Sequence, residues 1–210
     1  MIYFIGGPPR CGKTTFAKTM SKKCGIPWIS TDMLQVVSGE YMSEQEWNKS
    51  HPYSLLRRKL KTNDAFYNKL TPQKIVSVLR RQARQTFRAI DMAAICEIND
   101  GNSYIIEGYH IEPSLAFKLT KKYGQKNIKA IFLVKYNAEK FAVDVHKSTT
   151  PNDWLIVGTK KKETFLKVGR MVSLYSGWLK KEAGKYGYKV LSMDDNFKKR
   201  LDAAKQYLCL

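Results

Sequence analysis

Short apolar runs recur along the chain at 2–5 (IYFI), 27–30 (PWIS), 103–107 (SYIIE), 128–134 (IKAIFLV) and 188–192 (YKVLS). Runs of this length between segments with apolar residues at helical spacing predict buried parallel strands alternating with helices. The helical segments fall near 13–24, 32–38, 53–68, 72–98, 113–123, 138–147, 163–185 and 196–208. The clearest is 72–98, where Thr71 and Pro72 stand as N-cap and first helical residue and Ile75, Leu79, Ala83, Ile90, Ala94 and Ile98 form the buried stripe. Such alternation predicts an α/β fold of three layers around a five-stranded parallel sheet. The length of 210 residues fits a single domain, 1–210, with an acceptor-side insertion near 40–98 and a helical lid near 147–170. There is no internal repeat and no low-complexity tract.

Between the first strand and the first helix stands GPPRCGKTT, which meets G-x-x-x-x-G-K-[ST] at Gly7, Gly12, Lys13 and Thr14. Strand, glycine loop and helix is the context a P-loop requires. Glycines let the backbone turn its N–H groups inward, and the helix N-terminus adds positive potential, so Gly7, Pro8, Pro9, Arg10, Cys11, Gly12, Lys13, Thr14 and Thr15 are expected to cradle the phosphates of ATP. Lys13 is expected on the β- and γ-phosphates and Thr14 on Mg²⁺. A glycine turn with no ligand is the competing reading of the same string.

In sheets of this kind ligands lie beyond the carboxyl ends of the strands. After the second strand come Ser30, Thr31 and Asp32. A carboxylate there orients Mg²⁺ or accepts the proton of an attacking hydroxyl; the alternative is that Thr31 or Asp32 merely caps the following helix. The third strand ends in IIEGYHIEP, which puts Glu107 in place as a second acidic element, Gly108 where backbone must approach closely and His110 as a candidate for binding the acceptor. Asp144 and His146 read as an ion pair or a solvated helix face. The stretch from Thr149 to Arg170 has Pro151, Gly158 and the run Lys160, Lys161, Lys162, the composition of a lid that excludes water. Arg170 is its candidate for stabilising transferred charge.

Charge widens the field. With 37 basic and 18 acidic residues the formal net charge is +19, and Arg57 to Arg88 alone holds ten basic residues against Asp64. Such a field attracts nucleic acid and phosphorylated small molecules alike, or belongs to solvated lysine faces. Arg80, Arg84 and Arg88 recur every four residues and read either as a solvated face or as a clamp on an anionic acceptor. The cysteines, Cys11, Cys24, Cys96 and Cys209, form no C-x-x-C pair, so neither a zinc site nor a disulfide framework is indicated. The first apolar run starts at residue 2 and no run approaches the roughly 18 residues of a membrane span, so a cytoplasmic protein without leader or membrane contact, monomeric or homodimeric, is expected.

GGPPRCGKTT, ISTDMLQVV and IIEGYHIEP, together with ETFLKVGRMVSLYSGWLKKEAGKYGYKVL, resemble the 2-phosphoglycerate kinases and related small P-loop kinases of the nucleoside-monophosphate-kinase type. The resemblance implies ATP-dependent phosphorylation of a small acidic alcohol, with Asp32, Glu107 and His110 at family positions. The chain departs from it in having no arginine among Met33, Leu34, Gln35 and Val36. Two further readings stand beside it. One is a nucleotide or polynucleotide 5′-hydroxyl kinase, drawn from the charge and the 25 aromatic residues; the other is a nucleotide-binding module without transfer.

Overall fold

The computed structural model describes residues 1–148, 150 and 152–208. Pro151 of the expected lid, its neighbour Thr149, and Cys209 lie outside these. Five parallel strands, β1 (Ile2–Gly6), β2 (Trp28–Ser30), β3 (Tyr104–Gly108), β4 (Ile128–Val134) and β5 (Lys189–Ser192), form one sheet in the order β2-β3-β1-β4-β5. All five residues of β1 are buried, as the central strand of a covered sheet requires. The register sets Ser30 beside Glu107, Glu107 beside Ile5 and Gly108 beside Gly6. The carboxyl ends of three strands thus open side by side.

The helices are α1 (Lys13–Cys24), α2 (Thr31–Gly39), α3 (Glu44–Ser50), α4 (Pro52–Leu60), α5 (Asn63–Lys69), α6 (Pro72–Ala83), α7 (Phe87–Asn99), α8 (Pro113–Tyr123), α9 (Ala138–Asp144), α10 (Trp154–Val157), α11 (Lys162–Lys185) and α12 (Phe197–Leu208). Helix α1 packs on β1, β2 and β3, while α7 packs on β1 and β3, α8 on β4, and α8 also meets α7 and α11. Among the described residues no helix is long and apolar enough to cross a membrane.

Two expected helices are divided. The 53–68 helix breaks at Lys61, which turns left-handed at φ 61° and closes α4 onto the Arg57 carbonyl, while Thr62 starts α5 by accepting from Ala65 N–H. The 72–98 helix narrows to a 3-10 turn at Arg84–Thr86, where α2 packs against it. The buried stripe runs on across that turn, through Ile75, Leu79, Ala83, Ile90 and Ala94. Helix α3 was not anticipated, although Ser43 and Glu46 form a reciprocal capping box that the sequence displays as S-x-x-E. Asp144 pairs with Lys140 and Lys147, while His146 packs edge-on against Phe165, so the two do not form an ion pair with each other.

Candidate active site

The loop from Gly7 to Thr14 joins β1 to α1. Gly7 has φ +145°, and a Cβ there would stand 2.1 Å from the Leu133 carbonyl oxygen, so only glycine fits against β4. Gly12 caps α1 in the left-handed region with φ 87° and no side-chain acceptor, which leaves the first N–H groups of the helix open toward the loop. Arg10 is left-handed at φ 65° and is held by an ion pair of 2.6 Å to Asp153, the N-cap of α10. Lys13 is buried, its ammonium donating across the loop to the Pro8 carbonyl at 2.7 Å. Cys11 is fully buried, and burial pushes its thiol up to about 11. Phe197, at the start of α12, lies against Gly12: a Cβ on that glycine would come within 2.5 Å of its ring.

Two carboxylates converge on this loop. Glu107, buried at the end of β3, accepts from the Thr14 hydroxyl at 2.8 Å. Burial raises its carboxyl above the ordinary range, Lys13 and the Thr14 bond draw it down, and Asp32 pushes it up again. Lys13 thus lies near enough to both carboxyls to draw them down. Asp32 follows β2 and is not the helix cap: Ser30 takes that role, accepting from the N–H groups of Asp32 and Met33 at 3.0 and 3.4 Å. The Asp32 carboxylate is therefore left unspent by the helix. Crowding by protein at the mouth raises its pKa and Lys13 opposes this, while the side chain itself stays 73% exposed. It opens onto a groove of about 530 Å³ lined by Trp28, Ile29, Ser30, Met33 and Val36.

Beneath the mouth, Gly108 has φ +155°, and a Cβ there would sit 1.7 Å from Thr31 Oγ1. This is the close approach expected at that glycine. His110 is fully buried, with Nδ1 2.7 Å from Thr31 Oγ1 and Nε2 3.0 Å from Gln35 Oε1. A neutral ring satisfies both by donating from Nε2 to Gln35 and accepting at Nδ1 from Thr31. Burial, with Lys13 and His51 adding to it, lowers its pKa to about 3, so the 3.7 Å approach of Asp32 is not an ion pair at neutral pH. His110 thus stands as a strut under Asp32, with both nitrogens engaged inside the protein.

The arginines expected to clamp an acceptor are not gathered at the mouth. Arg80 donates from Nε to Glu112 at 3.4 Å and lies over the Trp178 ring at 3.7 Å, and Arg84 reaches the same buried carboxylate at 4.0 Å. Arg88 is exposed on α7. Arg170 is exposed on α11, with no acidic partner within 4 Å among the described residues. A second groove, about 590 Å³ between α6 and α11, includes Arg80 but none of the loop residues.

Sequence reasoning missed the residues that join the segment between β2 and β3 to the stretch between α9 and α11. Asn63 donates from Nδ2 to the Trp154 carbonyl at 2.9 Å and the Thr159 hydroxyl at 3.0 Å, and accepts from Arg57. Asp64 accepts from the N–H groups of Lys160 and Lys161 at 2.9 and 3.3 Å and from the Thr164 hydroxyl at 2.5 Å. It caps α11 from across the chain, since Lys161 offers no side-chain cap. No local pattern marks partners separated by about a hundred residues.

Oxygen donors suited to Mg²⁺ are present in the Thr14 hydroxyl and the carboxylates of Glu107 and Asp32. Among the described residues no group of three or more His, Cys, Asp or Glu side chains gathers as a metal cage. A hydroxyl and carboxylates beside a phosphate loop fit an ion that keeps several waters and takes its other ligands from phosphate.

A family model described as "ATPase family associated with various cellular activities (AAA)" matches residues 3–94. No curated protein matches the chain. Among solved structures, a sugar kinase from Janibacter sp. HTCC2649 shares 12% identity and a TM-score of 0.57 over 99% of this chain and 94% of its own. A shikimate kinase from Bacteroides thetaiotaomicron gives 12% and 0.55 over 100% and 99%, and a gluconokinase from Sinorhizobium meliloti 1021 gives 15% and 0.53 over 99% and 91%. Neither comparison singles out the 2-phosphoglycerate kinases. The chain is thus similar over residues 3–94 to AAA-type P-loop ATPase domains, and in fold, over nearly its whole length, to small-molecule kinases.

Proposed function

We propose that the protein is an ATP-dependent kinase that transfers the γ-phosphoryl group to a hydroxyl of a small acceptor bearing an acidic or phosphorylated group. The observation that carries this reading is the bond from Thr14 to Glu107 at the mouth of the phosphate loop, with Asp32 standing free beside it. A loop that only bound nucleotide would have no need of a free carboxylate at Asp32. The +19 charge leaves a polynucleotide acceptor as the competing reading.

The backbone N–H groups at the start of α1 and the Lys13 ammonium bind the β- and γ-phosphates. Thr14 and Glu107 would hold Mg²⁺, which when bound neutralises charge on the transferring group. Asp32 orients the acceptor hydroxyl and takes its proton as the oxygen attacks phosphorus. Its partial exposure lets that proton pass on to solvent. His110, Thr31 and Gln35 fix Asp32 from below, and Arg170 supplies charge from the helix that follows the lid.

Transfer of labelled phosphate from γ-labelled ATP into a panel of phosphorylated hydroxy acids, sugars, nucleoside monophosphates and oligonucleotides tests the reading. Lys13→Ala is expected to abolish incorporation with an unchanged thermal melt, and Asp32→Asn to lower it by about 10² or more. Turnover retained in Lys13→Ala, or label appearing only in oligonucleotides, would overturn the assignment.

A further inference from the structure

Helix α2 is turned inside out. The residues it buries are the polar Thr31 and Gln35, both bonded to His110, whereas Met33, Val36 and Val37, at helical spacing on the outer face, are 55%, 58% and 50% exposed. Met33 and Val36 line the groove of about 530 Å³ together with Trp28 and Ile29 of the edge strand β2. Two polar residues share that lining. Ser30 has its hydroxyl taken by the N–H groups at the start of α2, which leaves Asp32. No lysine or arginine is in the lining among the described residues; Lys18 stands over the Trp28 ring at 5.8 Å, outside it. The groove therefore offers apolar walls and one open carboxylate.

Asp32 decides what such walls receive. The carboxylate that feels Lys13, and is felt by Glu107 at the phosphate loop, also stands 73% exposed in the groove. A protein surface pressed onto this face would take that carboxylate out of water, at a cost that only a matching donor offsets. A small molecule with a hydroxyl beside an apolar group meets both demands, and the volume falls in the range of roughly 300–1,000 Å³ usual for small ligands.

Resting on the kinase reading, we infer that the groove seats an apolar portion of the acceptor, an aromatic ring or branched alkyl group next to the hydroxyl that Asp32 deprotonates. The acceptor class is then a hydroxy acid with an apolar side chain. Its hydroxyl proton passes to Asp32 while the hydroxyl oxygen bonds to the γ-phosphorus and the bond from that phosphorus to the ADP oxygen breaks. Met33 and Val36 set specificity through contact with the apolar group, where the resembled family has an arginine nearby for charge.

The test is a calorimetric titration of 3-phenyllactate and of lactate, which has the same hydroxyl and carboxylate without the ring, into the full chain saturated with Mg²⁺ and a non-hydrolysable ATP analogue. Wild type is expected to bind phenyllactate saturably and at least about tenfold more tightly than lactate, as burial of a ring in an apolar groove implies. Met33→Ser and Val36→Ser are each expected to cut that preference at least about threefold with lactate binding unchanged, and both sites are exposed enough to keep the fold. Val37→Ser, on the same helix but outside the lining, is expected to match wild type. Phenyllactate bound no better than lactate, or not at all, overturns the inference, as does a preference that survives both serine variants. A dimer in sedimentation that Met33→Ser and Val36→Ser dissolve, with no preference for phenyllactate, would give the face to a second copy and also overturn it. Groove-dependent binding in a chain that transfers label to no member of the acceptor panel would sink the kinase reading alone and leave the apolar site standing.

Discussion

At the scale of single residues, burial decides which groups near the loop are reactive. Cys11 sits inside the phosphate loop, yet its thiol is sealed off and pushed up to about 11, so almost none is thiolate at neutral pH. Mild peroxide or iodoacetamide should leave Cys11 unmodified while the exposed Cys24 reacts, as read by peptide mass spectrometry; modification of Cys11 in the folded protein would contradict its burial. His110 gives a second consequence. Its pKa falls from 6.5 unfolded to about 3 folded, so between these values the unfolded chain binds the extra proton and stability drops as pH falls from 6.5 toward 3. One such group contributes a slope of about 1.4 kcal/mol per pH unit in that window. Denaturant unfolding of wild type and His110→Gln should therefore converge as the solution is acidified. For Glu107 the sign is opposite, because a raised carboxylate pKa makes the ionised form harder to reach. Because burial also raises Asp32, the proposed base, the acid limb of kcat/KM should lie above the ordinary carboxylate range.

At the scale of elements, the strands and the loop were legible because each is specified locally. Short apolar runs mark a buried parallel sheet, and the fixed residues of the phosphate loop answer to one backbone path. Helix ends were legible only where the cap lies nearby: Thr71 was read correctly, whereas Ser30 displaced the two neighbours first considered for the cap of α2, and that displacement frees Asp32. The break at Lys61 has no signature, since lysine rarely turns left-handed, and the 3-10 turn at Arg84 answers to the packing of α2. The Glu112 pairing of Arg80 and Arg84 was equally hidden, because a four-residue spacing states that side chains share a helix face and not what that face meets. Gly108 offers a sharp test at this scale. Gly108→Ala must move Thr31 and so disturb the strut under Asp32, with a loss of about 2 kcal/mol or more in unfolding free energy and a matching fall in kcat.

At the scale of the whole molecule, the α/β architecture followed from alternation alone, while the bonds from Asn63 and Asp64 to the stretch before α11 did not. The positive charge belongs to this scale too: Lys118, Lys121 and Lys122 on α8, Lys180, Lys181 and Lys185 on α11 and Lys198 and Lys199 on α12 are all exposed. Nonspecific affinity for single-stranded DNA, measured by fluorescence anisotropy, should therefore fall steeply between low and moderate salt, while transfer to a small acceptor changes little. A transfer rate with the same salt slope would place the nucleic acid in the active site instead. The cap that Asp64 lends to α11 bears on how such a protein diversifies. On the proposed kinase reading, acceptor preference would be altered by exchanging the segment between β2 and β3. Here that exchange removes the residue that starts the 24-residue helix packed across the core, so a graft succeeds only if it carries an acidic side chain back to Lys160, Lys161 and Thr164.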